Sequence, residues 1–361
     1  MNYLNFSGPI NSLSFGNVCV NMLRSLHKKG QNICFFPIGS SIDLKAFNNL
    51  SDDFKEWISE SYSKRYDNLS KDNPTLRMWH LNGSESGIGE RNFLYTFYES
   101  NQPTKAEINI AKNQSKTIFS SSHARGCFSS ECDNTEYIPI GFDEDFHDTD
   151  KTYLEDKILF GLVGKFEKRK HTARILKLWA QKYGNNNKYQ LTCCITNPFF
   201  KKEQMTSAIS NALDGERYTN INFLPYLNTN SEMNELYNAI DINLSGLSGA
   251  EGWNLPAFNS TCLGKWSVVL NCTSHKDWAN DDNAIIIEPN GSEDIYDEIF
   301  FKKGDPFNQG EINTFSDEDF YNSMEIAIKK CNSKNNKGIE LIKTFNYDNT
   351  INKILKLINH E

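Results

Sequence analysis

The chain has 361 residues, 23% of them charged, 38% hydrophobic and 12% aromatic; at roughly 150 residues per domain that length suggests two domains, and the aromatic share excludes a disordered chain. Lys plus Arg number 38 against 46 Asp plus Glu, a net charge of −8, which argues against a nucleic-acid binder and against docking on anionic membrane. No apolar run reaches a transmembrane span, the N-terminus MNYLNFSGPINSL lacks signal-peptide character, and nine cysteines without zinc or CxxC spacing read as reduced thiols of a cytoplasmic protein.

The first 150 residues alternate strands and helices. Residues 2–8 read as a strand, and a loop runs from Gly8 to Gly16. A helix follows, with Val18, Met22, Leu23 and Leu26 on one face and Gly30 as its stop. Residues 32–38 read as the next strand, completing the opening of a βαβ unit. Further apolar runs fall at 76–81, 117–121 and 136–140. The polar stretch 141–157 is the best linker, so the domains are expected at 1–150 and 151–335, with 336–361 a C-terminal helical segment crossing back to the first domain.

The alternation restarts at 158–164, a strand. Residues 171–184 form an amphipathic helix pattern, with Ile175, Leu176, Trp179, Ala180 and Tyr183 inward and Gly184 as its stop. YQLTCCI, INFLPYL, IDINLS, WSVVLN and AIIIEP read as strands. SEMNELYNAI and LPAFNSTCLG read as helices, as do SDEDFYNSMEIAIKKC and NTINKILKLIN in the tail. Two such arrays predict an α/β fold of two doubly wound, Rossmann-like domains with a ligand cleft between them.

Two segments carry the chemistry. In GLVGKFEKRKHTAR (161–174) an apolar strand ends at Gly164, and Lys165, Lys168, Arg169 and Lys170 precede a helix. Free N–H groups at a helix start and clustered amines form an anion site suited to a phosphate or diphosphate; a solvated basic turn is the competing reading. In SGLSGAEGWNLPAF (245–258) small residues including Ser248 and Gly249 lead to Glu251, which would project at the mouth of the sheet. A carboxylate there can accept hydrogen bonds from vicinal hydroxyls, and the amides of Gly252, Trp253 and Asn254 can donate to the same ligand. A helix-capping glutamate is the alternative.

AEGWNLPAFNSTCLGKWSVV resembles the donor-site signature E-G-[FW]-G-L-P-x-x-E-A-M-A-x-G-x-P-V of the retaining GT-B glycosyltransferases of family four, the glycosyl transferases group 1. ELYNAIDINLSGLS, GLVGKFEKRK, IPIGFDEDF and FSGPINSLSFGN resemble other motifs of that family, in the family order. The resemblance implies a GT-B fold with two facing domains and an interdomain cleft. It also implies transfer of a hexose from a UDP-, GDP- or ADP-sugar to a glycan, lipid or other small acceptor, with retention and without a metal. No cofactor is implied, because the nucleotide sugar is a co-substrate. Lys165 and Lys170 match the pair that neutralises the donor diphosphate, and Gly16 matches the loop closing over it. Glu251 matches the residue holding the transferred sugar, with Ser248, Gly252, Trp253, Asn254, Leu255 and Asn259 along the donor sugar and nucleotide. His80 matches a histidine near the reacting sugar.

The chain departs from the family form at four places. Asn259 replaces the second Glu, Asn254 replaces a Gly, Trp266 replaces a Pro, and Lys165 replaces an Arg. A catalytically weakened protein that binds nucleotide sugar or glycan, and a GT-B epimerase acting on the sugar nucleotide, are the competing expectations.

Overall fold

The computed structural model describes residues 3–360. The first six strands are β1 (Leu4–Ile10), β2 (Ile33–Ile42), β3 (Thr75–Met78), β4 (Asn92–Thr96), β5 (Lys116–Phe119) and β6 (Thr135–Tyr137). They form one parallel sheet in the order β2-β1-β3-β4-β5-β6. Its helices are α1 (Ser14–Lys28), α2 (Asp52–Ser63), α3 (Lys105–Lys112) and α4 (Ser122–Ser129).

The second sheet is built from β7 (Ile158–Val163), β8 (Tyr189–Cys194), β9 (Ile221–Phe223), β10 (Ile242–Asn243), β11 (Trp266–Leu270) and β12 (Ile285–Ile287). Its order is β12-β11-β10-β7-β8-β9, again parallel. Helices α5 (Thr172–Tyr183), α6 (Lys202–Ala212), α7 (Asn230–Asn238) and α8 (Leu255–Cys262) connect these strands. A hairpin, β13 (Gly291–Asp294) with β14 (Glu311–Thr314), follows β12, and α9 (Asp317–Lys330), α10 (Asn336–Thr344) and α11 (Tyr347–His360) complete the chain. The expected pair of facing doubly wound domains is present.

Several boundaries differ from the sequence reading, for local reasons. The helix read from residue 17 starts at Ser14, so Gly16 lies in its first turn and not in the loop. A side chain at Gly16 would meet the Asn11 carbonyl at 2.2 Å, so this tight entry needs glycine. β9 stops at Phe223, two residues before Pro225, which has no N–H for a ladder. Gly184 ends α5 without a left-handed turn, at φ −56°. Its requirement is room, because a Cβ would sit 2.4 Å from the Tyr218 ring.

The 141–157 segment has neither helix nor strand, yet it is not a loose tether. Asp143 and Asp145 are buried. Asp145 accepts from Arg24 Nη2 at 2.7 Å, from the Asn48 N–H at 3.1 Å and from Asn230 Nδ2 at 2.9 Å. The domains also share an apolar seam. Trp253, Phe258 and Trp278 of the second domain join one cluster with Phe6, Phe93 and Phe97 of the first and with Phe345. Helix α11 returns to the first domain, where Ile351, Ile354 and Ile358 enter the same cluster. Arg91 donates to the Ile358 carbonyl at 2.9 Å, and Ser25 to Asp348 at 2.6 Å. Among the described residues, no helix is long and apolar enough to cross a membrane.

Candidate functional site

In an open parallel sheet, ligands bind where the strand order reverses, beyond the carboxyl ends of the strands. The second sheet reverses between β7 and β10. β7 runs into Gly164–Lys170, and β10 runs into Ser245–Glu251, so two segments about 80 residues apart in sequence meet there. The first sheet reverses between β1 and β3. Those strands lead to Gly16 and to His80. Topology therefore brings Gly16, His80, Lys165, Lys170 and Glu251 to the two reversal points.

At the second reversal point, five charged side chains alternate in one chain of ion pairs. Lys165 Nζ lies 2.9 Å from Glu167 Oε1, and Glu167 Oε2 lies 3.1 Å from Arg169 Nη2. Arg169 Nη1 lies 2.9 Å from Glu251 Oε2, and Lys170 Nζ is paired with Glu251 Oε1. Gly164, at φ +135°, makes the turn after β7, and the Lys170 methylenes lie against it. Glu251 is 5% exposed; it is buried in the site and does not project freely from the sheet mouth. Burial alone would raise its carboxyl, but Arg169 and then Lys170 overrule that and hold it far below the usual carboxylate range. Glu167 is likewise lowered, with burial opposed by Arg169, Lys170 and Lys165. Arg169 is buried yet shifted upward, because Glu251 and Glu167 outweigh its desolvation.

The two lysines are not equivalent. The Lys165 side chain is 39% exposed and that of Lys170 16%. The Lys165 amine also lies 4.6 Å from the centre of the Phe300 ring and 5.7 Å from that of Phe199, a cation–π arrangement. Lys168 turns away and donates to the Asp294 carbonyl.

The segment after Glu251 is fixed by hydrogen bonds. The Glu251 N–H donates to Thr273 Oγ1 at 3.1 Å. Ser248 is buried, its hydroxyl 3.3 Å from the Arg169 and Ala250 carbonyls. The Gly252 carbonyl accepts from Ser120 Oγ of the first domain at 2.8 Å, and a Cβ on Gly252 would meet Phe97 Cβ at 2.7 Å. Trp253 is buried in the apolar seam between Phe258 and Phe345; only its backbone can face a ligand. Leu255 starts α8 and is partly buried against that seam.

Asn254 has a structural reason to replace glycine. It sits at φ +68° as the N-cap of α8, a conformation asparagine tolerates, and its Oδ1 accepts from the Ala257 N–H. Its Nδ2 donates to the Ser245 carbonyl at 2.8 Å and to His275 Nε2 at 2.9 Å. His275 Nδ1 donates to the Leu270 carbonyl at 2.8 Å. These bonds require the neutral ring, and burial pushes its pKa down to about 4. Asn259, on α8, is buried, and its Oδ1 has no hydrogen-bond partner. Trp266 starts β11 and donates from Nε1 to the Ser333 carbonyl at 2.9 Å.

Across the cleft, the His80 ring lies tilted against Phe15, with ring centres 4.1 Å apart and planes at 42°. His80 is an exposed residue, and the protein around its ring lowers its pKa by partial desolvation; Glu99 opposes the shift and Lys165 adds to it. Glu99 also acts electrostatically on Arg169, so the two halves of the cleft sense each other's charge. Sequence reasoning gave no role to Glu167, Glu99, Thr273 or His275, and took Arg169 as one of four basic residues. The one available signal was the single acidic residue inside the basic run Lys165-Phe166-Glu167-Lys168-Arg169-Lys170.

No protein-family model matches the sequence, and no curated protein matches it. Solved structures do resemble the fold. Sucrose-phosphate synthase from Thermosynechococcus elongatus superposes with a TM-score of 0.71 at 12% identity, over 100% of this chain and 99% of that one. Anabaena Alr3699/HepE, solved in complex with UDP-glucose, gives 0.68 at 11% identity over 99% and 100%. A glycosyltransferase from Rickettsia africae gives 0.65 at 10% identity over 98% and 97%. The chain has the GT-B fold over its whole length.

Proposed function

We propose that the protein is a glycosyltransferase that moves a hexose from a nucleotide-sugar donor to an acceptor, with retention of configuration and without a metal. The observation that carries this reading is the meeting of Lys165, Lys170 and Glu251 at the reversal point of the second sheet, opposite Gly16 and His80. Cleaving the anomeric bond builds negative charge on the departing diphosphate. Lys165 can turn to it without stranding Glu167, which keeps Arg169. Lys170 can do the same, because Glu251 also keeps Arg169. Amines already held in place stabilise the leaving charge with little reorganisation. Glu251, ionised at neutral pH, accepts from sugar hydroxyls. The backbone of Gly252 to Leu255, with Ser248 and Asn259 behind it, borders the donor. The acceptor hydroxyl attacks on the face that the diphosphate leaves, and a diphosphate oxygen takes its proton. A UDP-sugar is the first donor to test, because a structural neighbour was solved with UDP-glucose; GDP- and ADP-sugars follow. Nine free cysteines support the cytoplasm as the site of action.

Calorimetry with UDP-, GDP- and ADP-sugars tests the donor. One donor is expected to bind, and Lys165→Ala with Lys170→Ala is expected to abolish that binding. Undiminished affinity in the double variant refutes the diphosphate assignment. Nucleotide binding without release, with every acceptor extract, would favour a sugar-binding protein. An isomerised sugar nucleotide with no glycosylated product would indicate an epimerase.

A further inference from the structure

A chamber of about 350 Å³ lies between the domains beside the turn that follows β11. That volume falls within the roughly 300–1,000 Å³ of small-molecule sites. Asn101 and His123 line it from the first domain, Thr273, Lys276 and Glu288 from the second, and Glu311 and Asn313 from β14.

Two of its walls are bonded directly to the loop that carries Glu251. Thr273 Oγ1 accepts the Glu251 N–H at 3.1 Å, and Asn313 donates to the Gly249 carbonyl from its N–H at 2.9 Å and from Nδ2 at 3.1 Å. Thr273 holds φ +46°. A β-branched residue in that region is strained by about 1–3 kcal/mol, a cost that concentrates at functional sites.

The lining selects a ligand class. It contains no Phe, Tyr or Trp, and it is dominated by amides, carboxylates and a hydroxyl, which disfavours a lipid tail or a stacked base. Two carboxylates, Glu288 and Glu311, face one amine, Lys276, which disfavours a phosphorylated or carboxylated ligand. His123 adds no charge at neutral pH, because burial lowers its pKa. Its Nε2 donates to the Ser100 carbonyl at 3.2 Å, which leaves Nδ1 as an acceptor. Paired amides and carboxylates match vicinal hydroxyls, which donate and accept together.

The cavity is open to solvent on the side of Lys276 and Glu288, which are exposed, and the excursion between β13 and β14 joins the two domains beside it. Gln309 bridges to Gln102. The Asn308 N–H donates to Glu107 Oε1 at 2.9 Å, and the Glu311 N–H to Asn101 Oδ1 at 2.9 Å. Its walls are therefore complete only while the domains are joined at this end.

We propose that this chamber is the acceptor subsite and that it takes an uncharged saccharide. The inference rests on the glycosyl-transfer reading above and narrows its acceptor. Saturation-transfer NMR on the full chain, without nucleotide, tests it with maltose and glucose 6-phosphate as probes. Maltose is expected to receive saturation and glucose 6-phosphate not to. Glu288→Lys with Glu311→Lys is expected to weaken maltose at least fivefold and to admit glucose 6-phosphate. If that variant melts below the wild type, Glu288→Gln replaces it and is expected to raise the glucose 6-phosphate signal. No transfer to maltose, equal transfer to both probes, or a maltose signal indifferent to these substitutions overturns the proposal. UDP-glucose calorimetry on the same sample separates the two readings. UDP-glucose bound and maltose ignored removes the chamber alone; maltose bound and every nucleotide sugar ignored removes the donor reading.

Discussion

Arg169→Met is the sharpest perturbation of the site. Arg169 is 6% exposed and Glu251 5%, and the guanidinium is shared by Glu251 and Glu167. Methionine fills much of the same space without charge, leaving two buried carboxylates whose remaining partners are Lys170 and Lys165. Breaking a buried pair from one side costs about 3–5 kcal/mol, or about 4–7 °C in melting temperature for a chain of this size. The pH dependence has a defined sign. In the wild type the folded pKa of Glu251 is depressed, so its contribution is present above the unfolded carboxyl pKa and is lost as pH falls through the folded value. In the variant both carboxyls rise, and protonation relieves them. The stability gap should therefore widen as pH goes from about 4 to 7. Urea unfolding of both proteins across that range measures it. A gap under about 1 kcal/mol at pH 7, or a gap independent of pH, would refute the claim that Arg169 holds the buried carboxylates in their charged form.

Three further perturbations test neighbouring parts of the argument. Asn254→Ala is expected to lose more stability than Asn254→Gly, by about 1 kcal/mol, since alanine pays for the left-handed backbone and glycine does not; equal midpoints in urea would contradict this. Gly252→Ala places a Cβ at 2.7 Å from Phe97 Cβ and is expected to cost about 1–3 kcal/mol while enlarging the radius of gyration in solution scattering; an unchanged radius and melting temperature would show that the domains do not rest on that contact. His275 has a folded pKa of about 4, below its ordinary value. Its contribution is thus present above pH 6.5 and declines as pH falls toward 4, by about 3 kcal/mol in all. His275→Gln should flatten that part of the pH–stability curve, and an unaltered slope would mean that the ring is not held neutral.

The sequence made the repeating strands and amphipathic helices legible where apolar residues are dense, as in β7, β11 and α5. It missed α2, whose apolar residues are few and whose start is set by the Ser51 cap with Asp52 and Asp53 behind it. It missed the β13–β14 hairpin too, because all four residues of β13 are exposed and carry no apolar period. At the site, the positions of Lys170 and Glu251 could be read from their segments, but their pairing could not. That contact depends on β7 and β10 being spatial neighbours, a property of strand order. Asn254 looked like a loss of glycine and is a gain of a cap, because the bond to His275 comes from a segment 21 residues later. The acidic member of the basic run, Glu167, escaped because its pairing with Lys165 and Arg169 is a property of the folded turn and not of the charge count.

Helix α11 has a consequence for how the molecule is made. Ile351, Ile354 and Ile358 belong to the same apolar cluster as Leu4 and Phe6 of the first strand, so that strand emerges from the ribosome long before these partners. The N-terminal half must wait, partly uncovered, until α11 has been made. Its assembly then follows synthesis of the second domain, and a nascent chain halted before α11 would be a client for chaperones.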